Sequence, residues 1–200
     1  MTSPLQKFYN YEADFNMFNL KEFEGASIFE QTEYFIELLT KNPHIKNILE
    51  IGFNTGRSAA YFLSSREDIQ VISIDIGIHP YINDCKKLID KHFPRRHSLL
   101  IGDSKVILPL LLNLQPKINP DLIFIDGDHR EPTPLIDARN CLALANKDTI
   151  LVMDDTCLLT GWEGVLQAMC ELIKTKEIDF PKIYTTTSGQ RSWTLFLKAS

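Results

Sequence analysis

The sequence predicts an α/β protein with a doubly wound, Rossmann-like sheet of seven strands, mostly parallel, that ends in a C-terminal antiparallel hairpin. Short apolar runs alternate with amphipathic helical patterns along most of the chain. Runs such as Asp121–Ile125 are apolar almost throughout, which is typical of parallel strands covered on both faces. The alternation stops near the end of the chain, where two β-rich runs flank the hairpin signal Ser188-Gly189-Gln190.

The beginning of the chain is harder to assign. Residues 1–26 mix aromatic residues with acids and amides without a clean period. We predict that they form a cover or lid segment ahead of a domain that spans residues 27–200. Such a segment could wall a substrate pocket, or it could be a packed extension or part of a homo-oligomer interface. A capping box, Ser27-Ile28-Phe29-Glu30, then predicts a helix that continues to about Lys41.

The remaining elements follow from the alternation of periods. Parallel strands are predicted at Asn47–Ile51, Gln70–Asp75, Ser98–Ile101, Asp121–Asp126 and Thr149–Asp154. Helices are predicted near residues 57–66, 82–93, 104–114, 132–145 and 162–176. The hairpin strands are predicted at Ile183–Thr187 and Trp193–Lys198.

Composition excludes several classes of protein. The chain has 200 residues, of which 44% are hydrophobic and 24% charged, as expected for one globular domain. A net charge of −5 makes nucleic acid an unlikely main partner. The four cysteines form no C-x-x-C pair, which indicates reduced thiols. Because no signal peptide and no apolar run of about 18 residues is present, we expect a cytoplasmic protein without membrane association.

A glycine-containing turn links the first parallel strand to the next helix. Its spacing is Glu50-x-Gly52-x-Asn54-x-Gly56, and the helix follows at Ser58. Glycine lets a ligand approach the main chain closely, and the N–H groups at a helix N-terminus are free to bind it. The turn therefore predicts a cofactor site. The dinucleotide pattern G-x-G-x-x-G is absent, which argues against NAD.

This turn resembles motif I of the class I S-adenosylmethionine-dependent methyltransferases, in which acid-x-Gly-x-Gly-x-Gly wraps the methionine end of the cofactor. Asn54 replaces the middle glycine, and asparagine tolerates a positive φ. Later strand ends add polar groups, with Asp75 placed to bind ribose hydroxyls and Asp103-Ser104 placed to read adenine, although these could also be an ordinary strand-end acid and a helix N-cap. The predicted cofactor-binding residues are Glu50, Gly52, Asn54, Gly56, Ser58, Asp75, Asp103, Ser104 and Asp126.

Three carboxylates are predicted to meet at one edge of the sheet. Asp126 ends the fourth parallel strand, and Asp154 and Asp155 end the fifth, with no cation adjacent in sequence. Such like charges repel, and a divalent cation with oxygen ligands would relieve the repulsion. Mg²⁺ is expected, and Mn²⁺ or Ca²⁺ would suit the same ligands. Alternatively, Asp154 and Asp155 merely cap the segment that leads to Trp162.

These carboxylates extend the resemblance to the cation-dependent O-methyltransferases, the group that contains the catechol and caffeoyl-CoA enzymes. Asp126, Asp154 and Asp155 match the metal ligands of that group. The resemblance places His129 where the catechol enzymes have the base that deprotonates the acceptor hydroxyl, and the pKa of histidine suits that role. Asp128 or a metal-bound hydroxyl are alternative bases. The predicted catalytic residues are Asp126, Asp128 and His129.

The resemblance implies methyl transfer from S-adenosylmethionine to a hydroxyl group, with a divalent cation. The stretch Ile125-Asp126-Gly127-Asp128-His129 looks more like sugar and natural-product methyltransferases than plant phenolic ones. We therefore expect a sugar, glycan or small-molecule diol as acceptor. The alternatives are a cofactor-binding protein without turnover and a nicotinamide-dependent oxidoreductase on a similar fold. A protein or nucleic-acid methyltransferase is less favoured, because the net charge is acidic and no Asn-Pro-Pro-Tyr type motif is present.

Overall fold

The computed structural model describes residues 2–17, 28–115, 117–157 and 161–199. The helices in these ranges are α1 (Pro4–Asn16), α2 (Phe29–Lys41), α3 (Arg57–Ser65), α4 (Ile82–His92), α5 (Ser104–Leu112), α6 (Thr133–Leu144) and α7 (Glu163–Lys174). The strands are β1 (Asn47–Ile51), β2 (Gln70–Asp75), β3 (His97–Ile101), β4 (Leu122–Ile125), β5 (Ile150–Asp154), β6 (Ile178–Thr185) and β7 (Ser192–Lys198).

The strands form a single sheet in the order β3-β2-β1-β4-β5-β7-β6. All pairs from β3 to β5 are parallel, and β7 is antiparallel to both β5 and β6. This arrangement confirms the predicted fold class. The strand order reverses between the neighbours β1 and β4, and the carboxyl ends of strands at such a switch point form the usual ligand crevice of open α/β sheets.

The alternation of side chains along each strand divides the core between the two faces of the sheet. On β4, Leu122 and Phe124 point into a core with α1 to α4, while Ile123 and Ile125 point into a second core with α5 to α7. All four side chains are buried. Helices therefore cover both faces, and polar groups at the switch point are confined to the strand ends.

The helix α1 lies in the segment that showed no clean period in the sequence. Its buried residues, Phe8, Tyr11 and Phe15, follow the spacing of one helical face and contact α3 and α4. Over these residues the segment is packed against the domain. Residues 18–27 lie outside the described ranges, and with them the predicted capping residue Ser27. The assignment of residues 1–26 as a cover or lid therefore stays a prediction.

Element boundaries agree with the sequence to within two residues in the parallel part of the sheet. The main difference is β6, which begins at Ile178 instead of Ile183. Its pairing with β7 is irregular between Asp179 and Lys182, and Phe180 has a positive φ. This bulge in an edge strand interrupts the alternation by which a strand is recognised.

No helix in the described part of the chain has the length and apolar character needed to cross a membrane.

Candidate active site

The glycine turn lies against the end of β4. Gly52 has a φ of 94°, and a Cβ atom there would lie 2.0 Å from the carbonyl oxygen of Asp126. Gly56 has a φ of 75° and faces the ring of Phe53. Asn54, which replaces the middle glycine, has a φ of 46°, in the left-handed region that asparagine tolerates. The turn and Asp126 thus form one continuous wall of the crevice.

Asp75 holds this turn in place. One of its carboxylate oxygens accepts hydrogen bonds from the backbone N–H groups of Phe53, at 3.0 Å, and Asn54, at 2.8 Å. The other accepts from the N–H of Gly77 at 2.8 Å. Asp75 therefore has a role that the sequence did not indicate, because its carboxylate orders the glycine turn. It also lies at the strand end where a ribose is expected.

Glu50 lies beneath the turn and is fully buried. Its two oxygens accept hydrogen bonds from the hydroxyl groups of Ser58 on α3 and Ser73 on β2. Burial raises the pKa of Glu50 to about 8, although both hydrogen bonds act in the opposite direction. The hydrogen bond between Glu50 and Ser58 therefore links β1 to α3. Both residues bond to other side chains of the protein, as part of the framework beneath the glycine turn.

The two predicted adenine-site residues also make internal contacts. Asp103 is the N-cap of α5 and accepts from the N–H of Lys105 at 2.9 Å. The hydroxyl of Ser104 donates to Asp137 at 2.7 Å. Burial raises the pKa of Asp137 to about 6, against the effect of the Ser104 hydrogen bond. Asp137 was not predicted as a site residue, because an acid within a helical pattern normally faces solvent.

A second cluster forms around His129. Its Nε2 atom lies 3.3 Å from Asp155 and 3.5 Å from Asp126, and ligand atoms of the three residues all lie within 4.8 Å of one another. The indole ring of Trp162 stacks on the imidazole at 4.6 Å between centroids. A Cβ on Gly164 would lie 2.5 Å from the His129 carbonyl oxygen, so the start of α7 also packs closely against this loop.

Charge determines the protonation of this cluster. Burial alone would lower the pKa of His129, but the nearby carboxylates of Asp126 and Asp155 raise it to about 10. Burial raises the pKa of Asp126, and the contact with His129 opposes that shift. His129 is therefore positively charged near neutral pH and faces the carboxylates of Asp126 and Asp155 as an imidazolium.

Asp154 lies next to this cluster, but its carboxylate is hydrogen-bonded to a residue outside it. Its Oδ1 atom accepts a hydrogen bond at 2.8 Å from the buried amide of Gln31 on α2. Together with Asp126 and His129 it lines a cavity of about 10 Å³, close to the volume needed for one water-sized species. Burial, and then the charges of Asp126 and Asp155, raise the pKa of Asp154 well above its usual range.

Arg191 supplies a cation that sequence reasoning missed. Its Nη1 atom lies 3.0 Å and 3.2 Å from the two carboxylate oxygens of Asp155. Burial would raise the pKa of Asp155, but His129 and Arg191 together lower it. No local pattern links the two residues, because Arg191 lies just before β7, 36 positions from Asp155.

Asp128, the alternative base, has its own partner. Its carboxylate accepts from the guanidinium of Arg130 at 2.8 Å and from the Arg130 backbone N–H at 3.1 Å. This hydrogen bonding lowers the pKa of Asp128. A less basic carboxylate is less suited to accept a proton.

The donor set fits a divalent cation. Asp126 and Asp155 place carboxylate oxygens within 4.8 Å of one another, and Asp126 and Asp154 share the small cavity. Carboxylate oxygens suit Mg²⁺, Mn²⁺ or Ca²⁺. Asp154 is not among the residues whose ligand atoms converge within 4.8 Å, so it could contribute only from the neighbouring cavity. A cation at this position would compete with His129 and Arg191 for the same carboxylates.

Comparison with solved structures identifies several O-methyltransferases with the same fold. The O-methyltransferase from Bacillus cereus, solved in complex with SAH, matches with a TM-score of 0.77 and 15% identity, covering 96% of this chain and 90% of that one. TomG from Streptomyces achromogenes, an O-methyltransferase involved in tomaymycin synthesis and solved with SAM, gives 0.75 and 18%, covering 98% and 90%. CalS11, a TDP-rhamnose 3′-O-methyltransferase of calicheamicin biosynthesis, gives 0.63 and 14%, covering 84% and 76%.

No curated protein sequence matches the chain significantly. The model of one protein family, described as a methyltransferase domain, matches residues 49–156. The match covers more than half of the chain and includes the glycine turn, Asp75 and the carboxylates at the ends of β4 and β5. It confirms the resemblance inferred from the sequence, and we conclude that the chain belongs to this family of methyltransferase domains.

Proposed function

We propose that this protein is an S-adenosylmethionine-dependent O-methyltransferase that uses a divalent cation. The observation that carries this proposal is the contact between the glycine turn and the carboxylate cluster. Gly52 approaches the backbone of Asp126 so closely that no Cβ fits between them. A methyl donor on the turn would therefore lie next to an acceptor held by Asp126, His129 and Asp155, as a direct transfer requires.

The turn has the features needed to bind the donor. Backbone N–H groups at the start of α3 suit the carboxylate of a methionine moiety, and Asp75 lies where ribose hydroxyls are expected. Negative charge at Asp126 also suits a sulfonium cation. The B. cereus O-methyltransferase solved with SAH and the S. achromogenes TomG solved with SAM have the same fold, which is consistent with this cofactor.

The methyl group of a sulfonium is already activated, so the chain has to orient the acceptor oxygen and remove its proton. His129 is the best placed base. It must be neutral to accept a proton, and it becomes neutral more readily when the charge of Asp126 and Asp155 is shared with another cation. Asp126, Asp154 and Asp155 would hold that cation, which when bound would lower the pKa of the acceptor hydroxyl.

The proposed acceptor is a hydroxyl with a neighbouring oxygen, as in a sugar or a small-molecule diol. Two adjacent oxygens can approach a cation and the base His129 together. Trp162, which is 41% exposed and stacks on His129, lies beside this position. The similarity of the fold to CalS11, a TDP-rhamnose 3′-O-methyltransferase, is consistent with a sugar acceptor.

Calorimetric titration with S-adenosylhomocysteine tests the donor, with and without Mn²⁺ or Mg²⁺ and with NAD as the control ligand. We expect micromolar binding of S-adenosylhomocysteine and none of NAD. Two matched variants separate the roles of the carboxylates. Asp75→Ala should weaken cofactor binding, whereas Asp154→Ala should preserve it and lower the rate of methyl transfer to catechol or to nucleotide-linked rhamnose.

Three results would count against the proposal. Binding of NAD in place of S-adenosylhomocysteine would favour an oxidoreductase. Binding without turnover, even with Mn²⁺ and a broad panel of diols, would favour a cofactor-binding protein. Equal loss of cofactor binding in the Asp75 and Asp154 variants would refute the division of roles.

A further inference from the structure

The middle of the glycine turn is held by side chains from three other elements. Asp75 on β2 accepts from the backbone of Phe53 and Asn54. The hydroxyl of Tyr81, next to α4, donates to the side-chain oxygen of Asn54 at 2.7 Å. The hydroxyl of Tyr11 on α1 donates to the backbone oxygen of Thr55 at 2.8 Å. Three consecutive residues of the turn are therefore fixed from outside it.

The contact from α1 is rigid because the helix is firmly seated. The Tyr11 side chain is fully buried and packs against the rings of Phe15 and Phe93. One residue further, Glu12 pairs with Arg57, the first residue of α3, at 2.8 Å. The Arg57 guanidinium also lies over the Phe15 ring, 4.6 Å from its centroid. These contacts join α1 to the N-terminus of the helix that follows the turn.

A turn that contains two glycines samples many conformations unless other contacts restrict it. If a ligand has to order the turn on binding, the entropy lost reduces its affinity, so contacts that order the turn beforehand increase affinity. Tyr11 and Tyr81 contact adjacent residues, Thr55 and Asn54, from α1 and from the residue that precedes α4. Neither hydroxyl needs to touch the ligand to have this effect.

We propose that Tyr11 and Tyr81 are positioning residues whose hydroxyl groups hold the glycine turn in its ligand-binding conformation. This inference rests on the proposed function, because it takes the turn to be the S-adenosylmethionine site. It assigns a role at the donor side of the crevice to two hydroxyl groups outside the turn.

The test compares Tyr11→Phe and Tyr81→Phe with Phe8→Leu. Phe8 is buried on the same helix as Tyr11 and contacts the ring of Tyr61, so its variant weakens the packing of α1 and leaves the hydroxyl contacts intact. Amide hydrogen exchange of residues 51–58 in the ligand-free protein reports on the order of the turn. Calorimetry with S-adenosylhomocysteine reports on affinity, and Tm reports on global stability.

We expect each tyrosine variant to accelerate exchange in the turn and to raise the Kd for S-adenosylhomocysteine roughly tenfold, the effect of leaving one buried hydrogen-bonding group unpaired. Phe8→Leu should lower Tm at least as much as the tyrosine variants do. Its Kd for S-adenosylhomocysteine and the rate of amide exchange in the turn should stay at the wild-type values. Tyr81 lies outside α1, so its variant tests the proposal even if Tyr11→Phe fails to fold.

Unchanged Kd and exchange in Tyr81→Phe and Tyr11→Phe would overturn the inference. So would equal increases of Kd in Phe8→Leu, because the effect would then follow global stability. If the wild-type protein does not bind S-adenosylhomocysteine but exchange in the turn still depends on the two hydroxyl groups, the turn is ordered as proposed and the assigned cofactor is wrong.

Discussion

The buried imidazole of His97 should make the protein sensitive to acid. His97 is 7% exposed, its Nε2 atom lies 2.9 Å from the hydroxyl of Ser73, and its ring stacks on Phe53 of the glycine turn. Since the Ser73 hydroxyl donates to Glu50, His97 is the donor in this pair. Burial, together with the charge of Lys86, lowers the pKa of His97 from 6.5 to about 3.

The sign of the effect follows from which state binds the proton. Above pH 6.5 the imidazole is neutral in both the folded and the unfolded chain, and its contribution to stability is complete. Between pH 6.5 and about 3 the unfolded chain takes up a proton that the folded chain excludes, so the free energy of unfolding falls as the pH falls. At pH 5 this loss amounts to about 2 kcal/mol, or roughly 4–8 °C in Tm for a domain of this size.

The assay is urea unfolding of the wild type and of His97→Gln at about pH 7.5 and about pH 5. Glutamine keeps an N–H donor for Ser73 and does not titrate, so the variant should lose about 2 kcal/mol less than the wild type between the two pH values. His44→Gln is the control, since His44 is exposed. The same pH dependence in the wild type and in His97→Gln would refute the reasoning.

Three further predictions concern the site and the core. Gly52→Ala should abolish S-adenosylhomocysteine binding measured by calorimetry, because its Cβ would fall 2.0 Å from the Asp126 carbonyl oxygen. Arg191→Met should increase Mn²⁺ affinity measured by electron paramagnetic resonance, because it removes a cation from the carboxylate of Asp155. Phe35→Ala should cost about 3–5 kcal/mol in urea unfolding, because this fully buried ring lies at the centre of an aromatic cluster.

Each of these predictions has a control and a contrary outcome. Gly161→Ala is the control for the first, since Gly161 also has a positive φ but a Cβ there meets no atom of the described residues within 4 Å; equal effects of the two changes would contradict the steric argument. For the second, Arg191→Lys should bind Mn²⁺ like the wild type, and an unchanged affinity in Arg191→Met would show that the arginine does not compete. For the third, Phe29→Ala is the control because Phe29 is 54% exposed, and a loss below about 1 kcal/mol in Phe35→Ala would be inconsistent with a close-packed cluster.

The clearest agreement between sequence and structure is at the strand ends. The sequence placed Asp126 and Asp155 at one edge of the sheet because neighbouring parallel strands end at the same edge, and the structure brings their carboxylates together around His129. It did not predict that Asp154 would face Gln31, because these residues are 123 positions apart and no local pattern links them.

The N-terminal helix α1 is an element that the sequence did not predict. The segment Pro4–Asn16 contains three asparagine or aspartate residues and four aromatic residues, none of which strongly favours a helix. Its helical conformation depends on burial of Phe8, Tyr11 and Phe15 against α3 and α4, which exist only once the domain has folded. Local propensity could not reveal an element that tertiary packing stabilises.

The sequence by itself determined the fold class, the position of the glycine turn and the carboxylates at the strand ends, because the periods of strands and helices and the φ of glycine are local properties of the chain. Only the tertiary structure decided which partners these groups face. Asp75 accepts hydrogen bonds from the turn, Glu50 is fully buried beneath it, and Arg191 from the hairpin pairs with Asp155. Protonation depends on burial and on charges within a few ångströms, and those distances are set by how the elements pack.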